Sequence, residues 1–468
     1  MRLRTLIIML SFSNIISAQD STTVINLSEY LGYVKTFHPI VKQANLLISE
    51  SEAKLLKARG AFDPKLEVDY DRKKFKNTEY YDKLNAAFKI PTWYGVELKG
   101  NFEENTGLFL NPESNVPNDG LYSAGVSVSV ARGLLTNKRM AMLKQSKIFV
   151  KQRQADRQLL VNNILYEATL AYFNWLRTYN EKRVYEDFLI NAKMRFKGIK
   201  KSYREGEMPA IDTVEARIAF NDRKLNLEKS RIKFIKSSLE LSNYLWLNEN
   251  TPIEIKDNVI PDVNTFESVD VILNTSELDI ENLDITNHPK LQSLDYKLQS
   301  LNIDRRLKLN NLLPKIDLQY NFLSETPEIA RSFSTSAYKS GVNISFPLFL
   351  RKERGDLRLA KLKMQNTEFE IQSTEVTLKN KIDAINQELK SFVSQNEFTR
   401  IIVDDYGTML KAEERKFFLG ESSLFLVNSR ESKLIDAKLK AIELENSFFN
   451  TKAGLFNVLA ISDIDINQ

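Results

Sequence analysis

The chain has 468 residues, with 66 Lys and Arg against 61 Asp and Glu, two His and no Cys. A formal net charge of +5 is small for this length and predicts no nucleic-acid-binding surface. The lack of cysteine excludes a disulfide framework and also the lipid anchor that requires a cysteine at the mature N-terminus.

Residues 1–18 have the pattern of a secretory signal peptide. Arg2 and Arg4 precede an apolar run that reaches Ile16, and the small residues Ser17 and Ala18 follow it. The apolar run is too short to span a membrane. No later segment offers the roughly 20 uninterrupted apolar residues of a membrane helix. A membrane-spanning part would therefore have to consist of strands.

The first elements of the mature chain are a helix and a group of strands. Residues 27–59 show the 3-4 apolar spacing of a helix, which Pro64 ends. The next residues alternate apolar and charged side chains, as a strand with two different faces does. Two more alternating segments, within residues 81–104, predict a strand hairpin, and another strand follows at 125–130.

Two very long helices dominate the rest. Residues 137–203 contain no proline and keep a steady apolar spacing, which predicts a helix of roughly 100 Å. Residues 353–418 have the same character. Each helix is followed by a glycine, Gly206 or Gly420, and then by a shorter helical pattern. Such helices should pack through narrow apolar stripes, as coiled coils do.

The chain contains an internal duplication. Residues 38–72 correspond to 288–322 at an offset of 250, with His-Pro and Pro-Lys pairs aligned. The strand at 125–130 corresponds to 341–346, and Gly206 corresponds to Gly420 at an offset of 214. A unit of helix, strands, long helix, turn and helix therefore occurs twice.

This order of landmarks resembles the TolC family of outer-membrane efflux and secretion channels. The most specific segment is the glycine-led turn and helix start at residues 206–217. The resemblance implies an α+β membrane protein, a trimeric outer-membrane β-barrel continued by a long α-helical coiled-coil tunnel in the periplasm. It also implies a homotrimer that contacts outer-membrane lipid and works with a periplasmic adaptor and an inner-membrane pump.

We divide the chain accordingly. The signal peptide is 1–18, the first repeat is 19–247, the linker or equatorial region is 248–284, the second repeat is 285–460 and the tail is 461–468. The first repeat is longer by 34 residues, about one hairpin with its turns. Because the family pattern is four strands per chain and a barrel of twelve, we predict that the 81–104 hairpin stands at the extracellular rim.

The resemblance places the functional site at the two turns that end the long helices. The residues predicted to dock the adaptor are Tyr203, Gly206, Phe417 and Gly420, with the two aromatic side chains exposed beside the turns. Some family members carry acidic residues after the second glycine. Here those positions hold Leu426 and Ser429, whereas the first repeat has Asp212 and Glu215, so an acidic gate is not predicted at the usual place.

The sequence predicts no enzymatic chemistry, cofactor or metal site. His38 and His288 each precede a proline at a helix start, where capping is the simpler role, and no phosphate-binding loop or catalytic triad spacing is present. Two functions remain. The first is a passive export channel of a tripartite efflux pump or type I secretion system. The alternative is a secreted periplasmic coiled-coil structural or adaptor protein without a pore, whose strands form a soluble sandwich.

Overall fold

The structure, a computed structural model, describes residues 22–275, 284–327 and 334–461. The predicted signal peptide, part of the predicted linker and all but the first residue of the predicted tail lie outside these ranges. The chain forms two compact units. Among the described residues, the helical unit comprises 22–41, 163–275 and 384–461, and the sheet unit comprises 42–162, 284–327 and 334–383.

The sheet unit contains one six-stranded antiparallel sheet. The first repeat supplies four strands: β2 (Lys65–Phe75), β3 (Thr78–Pro91), β4 (Val96–Thr106) and β5 (Leu121–Ser129). Two further strands, β1 (Thr23–Ile25) and β6 (Val259–Pro261), belong to the helical unit. The second repeat adds β7 (Lys315–Ser324) and β8 (Tyr338–Ser345). The order across the sheet follows the chain, and the two repeats join where β5 pairs with β7.

The hairpin of β3 and β4 occupies a different place from the predicted one. β3 pairs with β2 along its length, and β4 pairs with β5 from Val96 to Glu103. The prediction that this hairpin stands at the rim is therefore wrong. Alternation alone does not reveal which strands a hairpin will pair with, because pairing depends on partners that are distant in sequence.

Helices of the sheet unit adjoin the strands in sequence. α2 (Pro39–Arg59) precedes β2, and α6 (Pro289–Asn310) precedes β7. α1 (Leu27–Phe37) belongs to the helical unit. Sequence alone predicted one helix over 27–59, but His38 is extended, with φ −61° and ψ 133°, and separates α1 from α2. Pro39 explains the break, because a residue before proline avoids helical geometry.

The two long helices confirm the sequence prediction closely. α3 is Lys138–Arg204 and α7 is Arg351–Phe418, and each contributes residues to both units. At 1.5 Å per residue, both are about 100 Å long. The helices that follow are α4 (Ala210–Ser242) and α8 (Leu424–Leu459), and the short α5 is Thr265–Ile272.

The helical unit has an aromatic core. Trp175 is fully buried, its ring lies parallel to that of Phe234, and its indole N–H donates to the Ser238 hydroxyl at 2.9 Å. Phe173 stacks on Phe449, which joins α3 to α8. Large buried rings of this kind provide most of the apolar burial that stabilises a helical bundle.

Part of the predicted linker is ordered. β6 (Val259–Pro261) pairs in parallel with β1 (Thr23–Ile25). The Tyr172 hydroxyl donates to the Ile25 carbonyl at 3.0 Å and accepts from the Asp262 N–H at 3.3 Å, so both strands are fastened to α3. Within the described ranges, no helix combines the length and apolarity needed to cross a membrane.

Candidate functional site

The first turn closes α3 with two backbone hydrogen bonds. The Gly206 N–H donates to the Tyr203 carbonyl at 3.1 Å, and the Glu207 N–H donates to the Ser202 carbonyl at 2.9 Å. This pair of bonds defines a Schellman motif, which requires a left-handed residue at its centre. Gly206 has φ +79°, as that motif demands.

The second turn has the same backbone. The Gly420 N–H donates to the Phe417 carbonyl at 3.1 Å, the Glu421 N–H donates to the Lys416 carbonyl at 2.9 Å, and Gly420 also has φ +79°. Both turns therefore hold their glycine in the left-handed conformation. The next helix begins four residues after each glycine. Its N-cap position is Pro209, which makes no side-chain cap, or Ser423, whose side chain accepts from the Leu426 N–H.

The side chains around the two turns differ. We call residues 203–211 the first tip and residues 417–426 the second tip. The first tip exposes Tyr203, at 46%, and Ile211, at 67%, beside the charged residues Arg204, Glu205 and Glu207. The second tip exposes four large apolar side chains: Phe418, Leu419, Phe425 and Leu426.

Phe417 does not lie where the sequence placed it. Its side chain is partly buried against Leu424 and Val427, whereas the neighbouring Phe418 is 89% exposed. The expectation that Phe417 is exposed beside the turn is therefore wrong. One residue corresponds to about 100° around a helix, so its neighbour takes the outward position.

Two apolar clusters lie behind the tips. One contains Ile199, Ala216 and Leu424 from three helices, with Met208 and Phe417 against it. The other surrounds Phe188, Leu410, Val427, Leu434 and Ile435. These contacts hold α3, α4, α7 and α8 together, so the turns are mounted on a packed bundle.

A buried ion cluster lies in the same bundle. Glu431 is fully buried, and its carboxylate meets Nη2 of Arg195 at 2.7 Å and Nε of Arg223 at 3.3 Å. Arg195 also reaches Glu414 at 3.0 Å, and Arg223 reaches Asp222 at 2.7 Å. A buried carboxylate is tolerated only with such partners. Through Arg195, Arg223, Glu414 and Glu431 the cluster ties all four helices.

This ion cluster was not predicted from the sequence, although the spacing of residues in α8 contains a signal for it. Leu424, Val427, Glu431 and Leu434 follow one another at spacings of three and four, which is the pattern of a coiled-coil seam. A glutamate in that series is an ionisable group at a core position. Such a residue needs basic partners on the facing helices, and those partners are Arg195 and Arg223.

One of the two acidic residues of the first repeat, Glu215, has a partner on another helix. Glu215 accepts a hydrogen bond from the Asn428 amide at 3.1 Å, which links α4 to α8. Leu426, at one of the positions where some relatives are acidic, is exposed.

Both histidines have capping roles, as predicted. Nδ1 of His38 accepts from the Ile40 N–H at 3.2 Å, and Nδ1 of His288 accepts from the Lys290 N–H at 3.1 Å. His38 also stacks on Tyr244, and burial lowers its pKa. Among residues 22–275, 284–327 and 334–461, no three His, Asp or Glu side chains are grouped to hold a metal ion.

The sheet has an apolar and a polar face across all six strands, except that Arg72, Asp82 and Glu104 lie on the apolar face at one end of β2, β3 and β4. Cross-strand pairs such as Leu66 with Phe88, Leu98 with Val126 and Leu318 with Val342 share the apolar face. Leu66 is 72% exposed and Val342 is 67% exposed. A contiguous exposed apolar surface of this extent marks contact with a membrane or another protein.

Charged and hydroxyl side chains occupy the opposite face. Glu67 pairs with Lys89, Lys315 pairs with Asp317 at 2.8 Å, and the Ser129 hydroxyl donates to Asp317 at 2.6 Å. These residues alternate with the apolar set, as the pleat requires. The sheet can therefore separate a lipid environment from water.

Aromatic side chains gather at both ends of the strands. At one end Tyr80 lies between Phe75 and Phe109, with ring centroids 6.3 and 4.8 Å away. At the other end Trp93 stacks on Phe62 at 5.6 Å. Aromatic girdles at both edges of an apolar band are typical of outer-membrane barrels.

Comparison with known proteins supports the same class. The family described as outer membrane efflux protein matches residues 282–460. No curated protein matches the sequence.

Three solved structures have this fold over most of the chain. The outer membrane protein VceC of Vibrio cholerae has a TM-score of 0.67 and 12% identity, over 93% of this chain and 96% of its own. The CmeC outer membrane channel of Campylobacter jejuni has a TM-score of 0.65 and 14% identity, over 94% and 87%. The MtrE outer membrane channel of Neisseria gonorrhoeae has a TM-score of 0.62 and 12% identity, over 93% and 88%.

The sequence match, the shared fold and the duplicated order of strands, long helices and glycine turns agree. Residues 282–460 match the outer membrane efflux protein family, and more than nine-tenths of the chain has the fold of solved outer-membrane channels.

Proposed function

We propose that the protein is the outer-membrane channel component of a tripartite efflux pump or type I secretion system. It is a homotrimer in the outer membrane of a Gram-negative bacterium, extends into the periplasm and conducts substrates passively. The observation that carries this proposal is the sheet, whose apolar face is exposed along six strands while its other face is polar. Lipid covers the first face, and water contacts the second.

Assembly from several copies follows from the strand edges. Among the described strands, β2 and β8 each pair on one side only. An unpaired edge is not tolerated within lipid, because its backbone N–H and C=O groups would lack partners. Six strands from each of several chains can close a barrel and leave no edge.

The alternative is a secreted periplasmic coiled-coil structural or adaptor protein with a soluble sandwich. A sandwich buries the apolar face of one sheet against a second layer. In the described residues, Leu66, Val342 and Ile344 are instead mostly exposed, which favours the channel.

The tips are the proposed docking site for the periplasmic adaptor. Gly206 and Gly420 reverse the chain, Tyr203 and Phe418 present aromatic surface, and Phe417 supports the second turn from behind. Helical partners bind exposed apolar faces of this kind through regularly spaced anchors. An adaptor that offers a helical hairpin has matching chemistry.

Fractionation tests the location and assembly. The protein should be recovered from outer-membrane fractions as a heat-modifiable trimer, and the reconstituted trimer should conduct ions across a lipid bilayer. Recovery of a water-soluble monomer from the periplasm would contradict the channel and favour the alternative.

Copurification distinguishes the two pump classes. Crosslinking in intact cells through a cysteine at Phe418, followed by identification of the captured adaptor and pump, should yield one system. Crosslinking through a cysteine placed instead at Tyr203, in the first tip, should capture the same adaptor. Failure of both tips to capture any inner-membrane-linked protein would remove the tips as the docking site.

A further inference from the structure

The register of the sheet sets the inclination of its strands. A line of paired residues crosses five strands, from Lys65 on β2 to Lys89, Lys99, Gly125 and finally Asn321 on β7. This line runs perpendicular to the strands. It therefore measures how far one strand is displaced along its neighbours.

The duplication supplies the reference point for this measurement. Lys65 and Lys315 are equivalent positions, each directly after a proline at the start of a strand. The line from Lys65 meets β7 at Asn321, six residues beyond Lys315. Six residues at about 3.3 Å correspond to roughly 20 Å along the strand, and four steps at about 4.8 Å to roughly 19 Å across the sheet.

These two displacements give a strand inclination of about 45° to the line of equivalent positions. Closed barrels require inclined, staggered strands, and transmembrane strands have inclinations close to this value. β3 and β4 are two of the five strands over which the displacement accumulates. The hairpin is therefore part of the inclined wall.

The faces of the hairpin agree with this placement. Phe88 and Ile90 of β3, with Val96 and Leu98 of β4, lie on the same face as Leu66. Lys89, Lys99 and Asn101 lie on the polar face. From Leu84 to Ile90 on β3 and from Val96 to Phe102 on β4 the hairpin continues both surfaces of the sheet, whereas Asp82 and Glu104 interrupt the apolar face at its far end.

We propose that the trimeric barrel has eighteen strands, six from each chain, and that β8 of one copy pairs with β2 of the next. This inference rests on the proposed function. β2 and β8 are the two edges of the sheet and run in opposite directions, so neighbouring copies meet through antiparallel strands. The occupant of each edge is a second copy of this chain, whose apolar face then continues around the barrel.

The strand number determines the width of the barrel. Barrel diameter grows approximately linearly with strand number, so eighteen strands give a barrel about one and a half times as wide as the twelve implied by the family pattern. With the spacing and inclination above, the backbones across the barrel are roughly 40 Å apart.

Quenching by spin-labelled lipid tests directly whether β3 and β4 face lipid as part of the barrel wall. The chain has no cysteine, so single fluorophores can be attached in the full-length protein at Phe88→Cys and Val96→Cys. In phosphatidylcholine vesicles that carry acyl-chain nitroxides, both should be quenched to within about twofold of Val342→Cys on β8. The matched variant Asn101→Cys, on the polar face of β4, should remain unquenched.

The result separates this inference from the proposed function. Quenching at Val342 but not at Phe88 or Val96 overturns the eighteen-stranded wall and leaves the channel intact. A lack of quenching at Val342 as well overturns both.

A second measurement does not depend on lipid. Leu98 and Val126 are direct cross-strand partners, so the double variant Leu98→Cys, Val126→Cys should form a disulfide within one chain on oxidation in the assembled trimer. Absence of this disulfide in trimers that form normally would overturn the placement of β4 beside β5.

Discussion

The two tips share a backbone and differ in surface. Both use a Schellman turn with a glycine at φ +79°, and both start the next helix four residues later. The first tip surrounds its glycine with Arg204, Glu205 and Glu207, whereas the second surrounds its glycine with exposed apolar side chains.

The comparison distinguishes the turn glycines, which the fold requires, from the outward side chains, which the fold leaves free to differ. Reversing a long helix requires a left-handed residue, so glycine is retained in both copies. The outward side chains contribute nothing to that turn. Their divergence after duplication leaves the larger exposed apolar surface at the second tip.

The largest effect should come from the ion cluster that supports both tips. Glu431→Ala leaves Arg195 and Arg223 buried without their carboxylate, which should cost about 3–5 kcal/mol of unfolding free energy. Urea unfolding followed by the fluorescence of the buried Trp175 measures it.

Glu414→Ala is the matched control for this change. Its carboxylate also contacts Arg195 but is 45% exposed, so the loss should be below about 1 kcal/mol. Equal losses for the two variants would show that burial of Glu431 is energetically unimportant.

A smaller effect separates the tips as docking surfaces. Phe418→Ser should weaken adaptor binding by about 30-fold, since an aromatic anchor at an interface is worth about 2 kcal/mol. Tyr203→Ser should weaken it by less than about fivefold, because that ring is half as exposed and lies among charges.

Titration of the purified trimer with its adaptor measures both constants. Trimer yield serves as the control, because neither side chain is part of a buried cluster. A larger effect at Tyr203 than at Phe418 would reverse the assignment of the apolar contact to the second tip.

Substitution of either turn glycine by alanine should destabilise the protein by the same amount, because the two turns have the same backbone conformation. In both Gly206→Ala and Gly420→Ala the new Cβ meets nothing within 4 Å, so only the left-handed conformation is penalised, by about 1 kcal/mol in each. Thermal unfolding measures the cost.

Gly198→Ala and Gly407→Ala provide controls of opposite sign. Both glycines lie inside the long helices with open space around them, so alanine should stabilise each helix by roughly 0.5–1 kcal/mol. Unequal losses of stability in Gly206→Ala and Gly420→Ala would show that the surrounding side chains contribute to the stability of the turns.

The smallest effect concerns His38, one of the paired capping histidines. Burial holds the pKa of His38 below its ordinary value of 6.5, so the folded protein binds fewer protons at this site than the unfolded chain. Stability should therefore fall as the pH decreases through about 6.5, by less than about 1 kcal/mol between pH 7.5 and 5.5.

Comparing the melting temperature of the wild type with that of His38→Asn tests this prediction. Asparagine can also cap a helix but does not titrate, so the variant should lose part of the pH dependence. His288→Asn makes the same substitution in the other repeat. An unchanged pH dependence in His38→Asn would exclude a contribution from this histidine.

The sequence predicted those elements that depend on local pattern. The bounds of α3 and α7 were correct to within two residues, because a long proline-free helix carries its periodicity throughout. The strands after Pro64 and Pro314 were predicted for a similar reason, since proline ends a helix and alternation follows.

Features that depend on distant partners were not predictable in this way. The position of the β3–β4 hairpin is set by pairing with β2 and β5, and either placement is compatible with its alternation. The exposure of Phe418 in place of Phe417 depends on how α7 packs against α8. The role of Glu431 required knowledge of which arginines face it.

The pairing of β5 with β7 also constrains the order of folding. The Ser129 hydroxyl and Asp317 are 188 residues apart in sequence yet form one hydrogen bond across these strands. Contacts of such long range form late, because a large loop must close first. Until residues 315–324 are available to pair, the apolar strands of the first repeat have an open edge at β5 and are prone to aggregate.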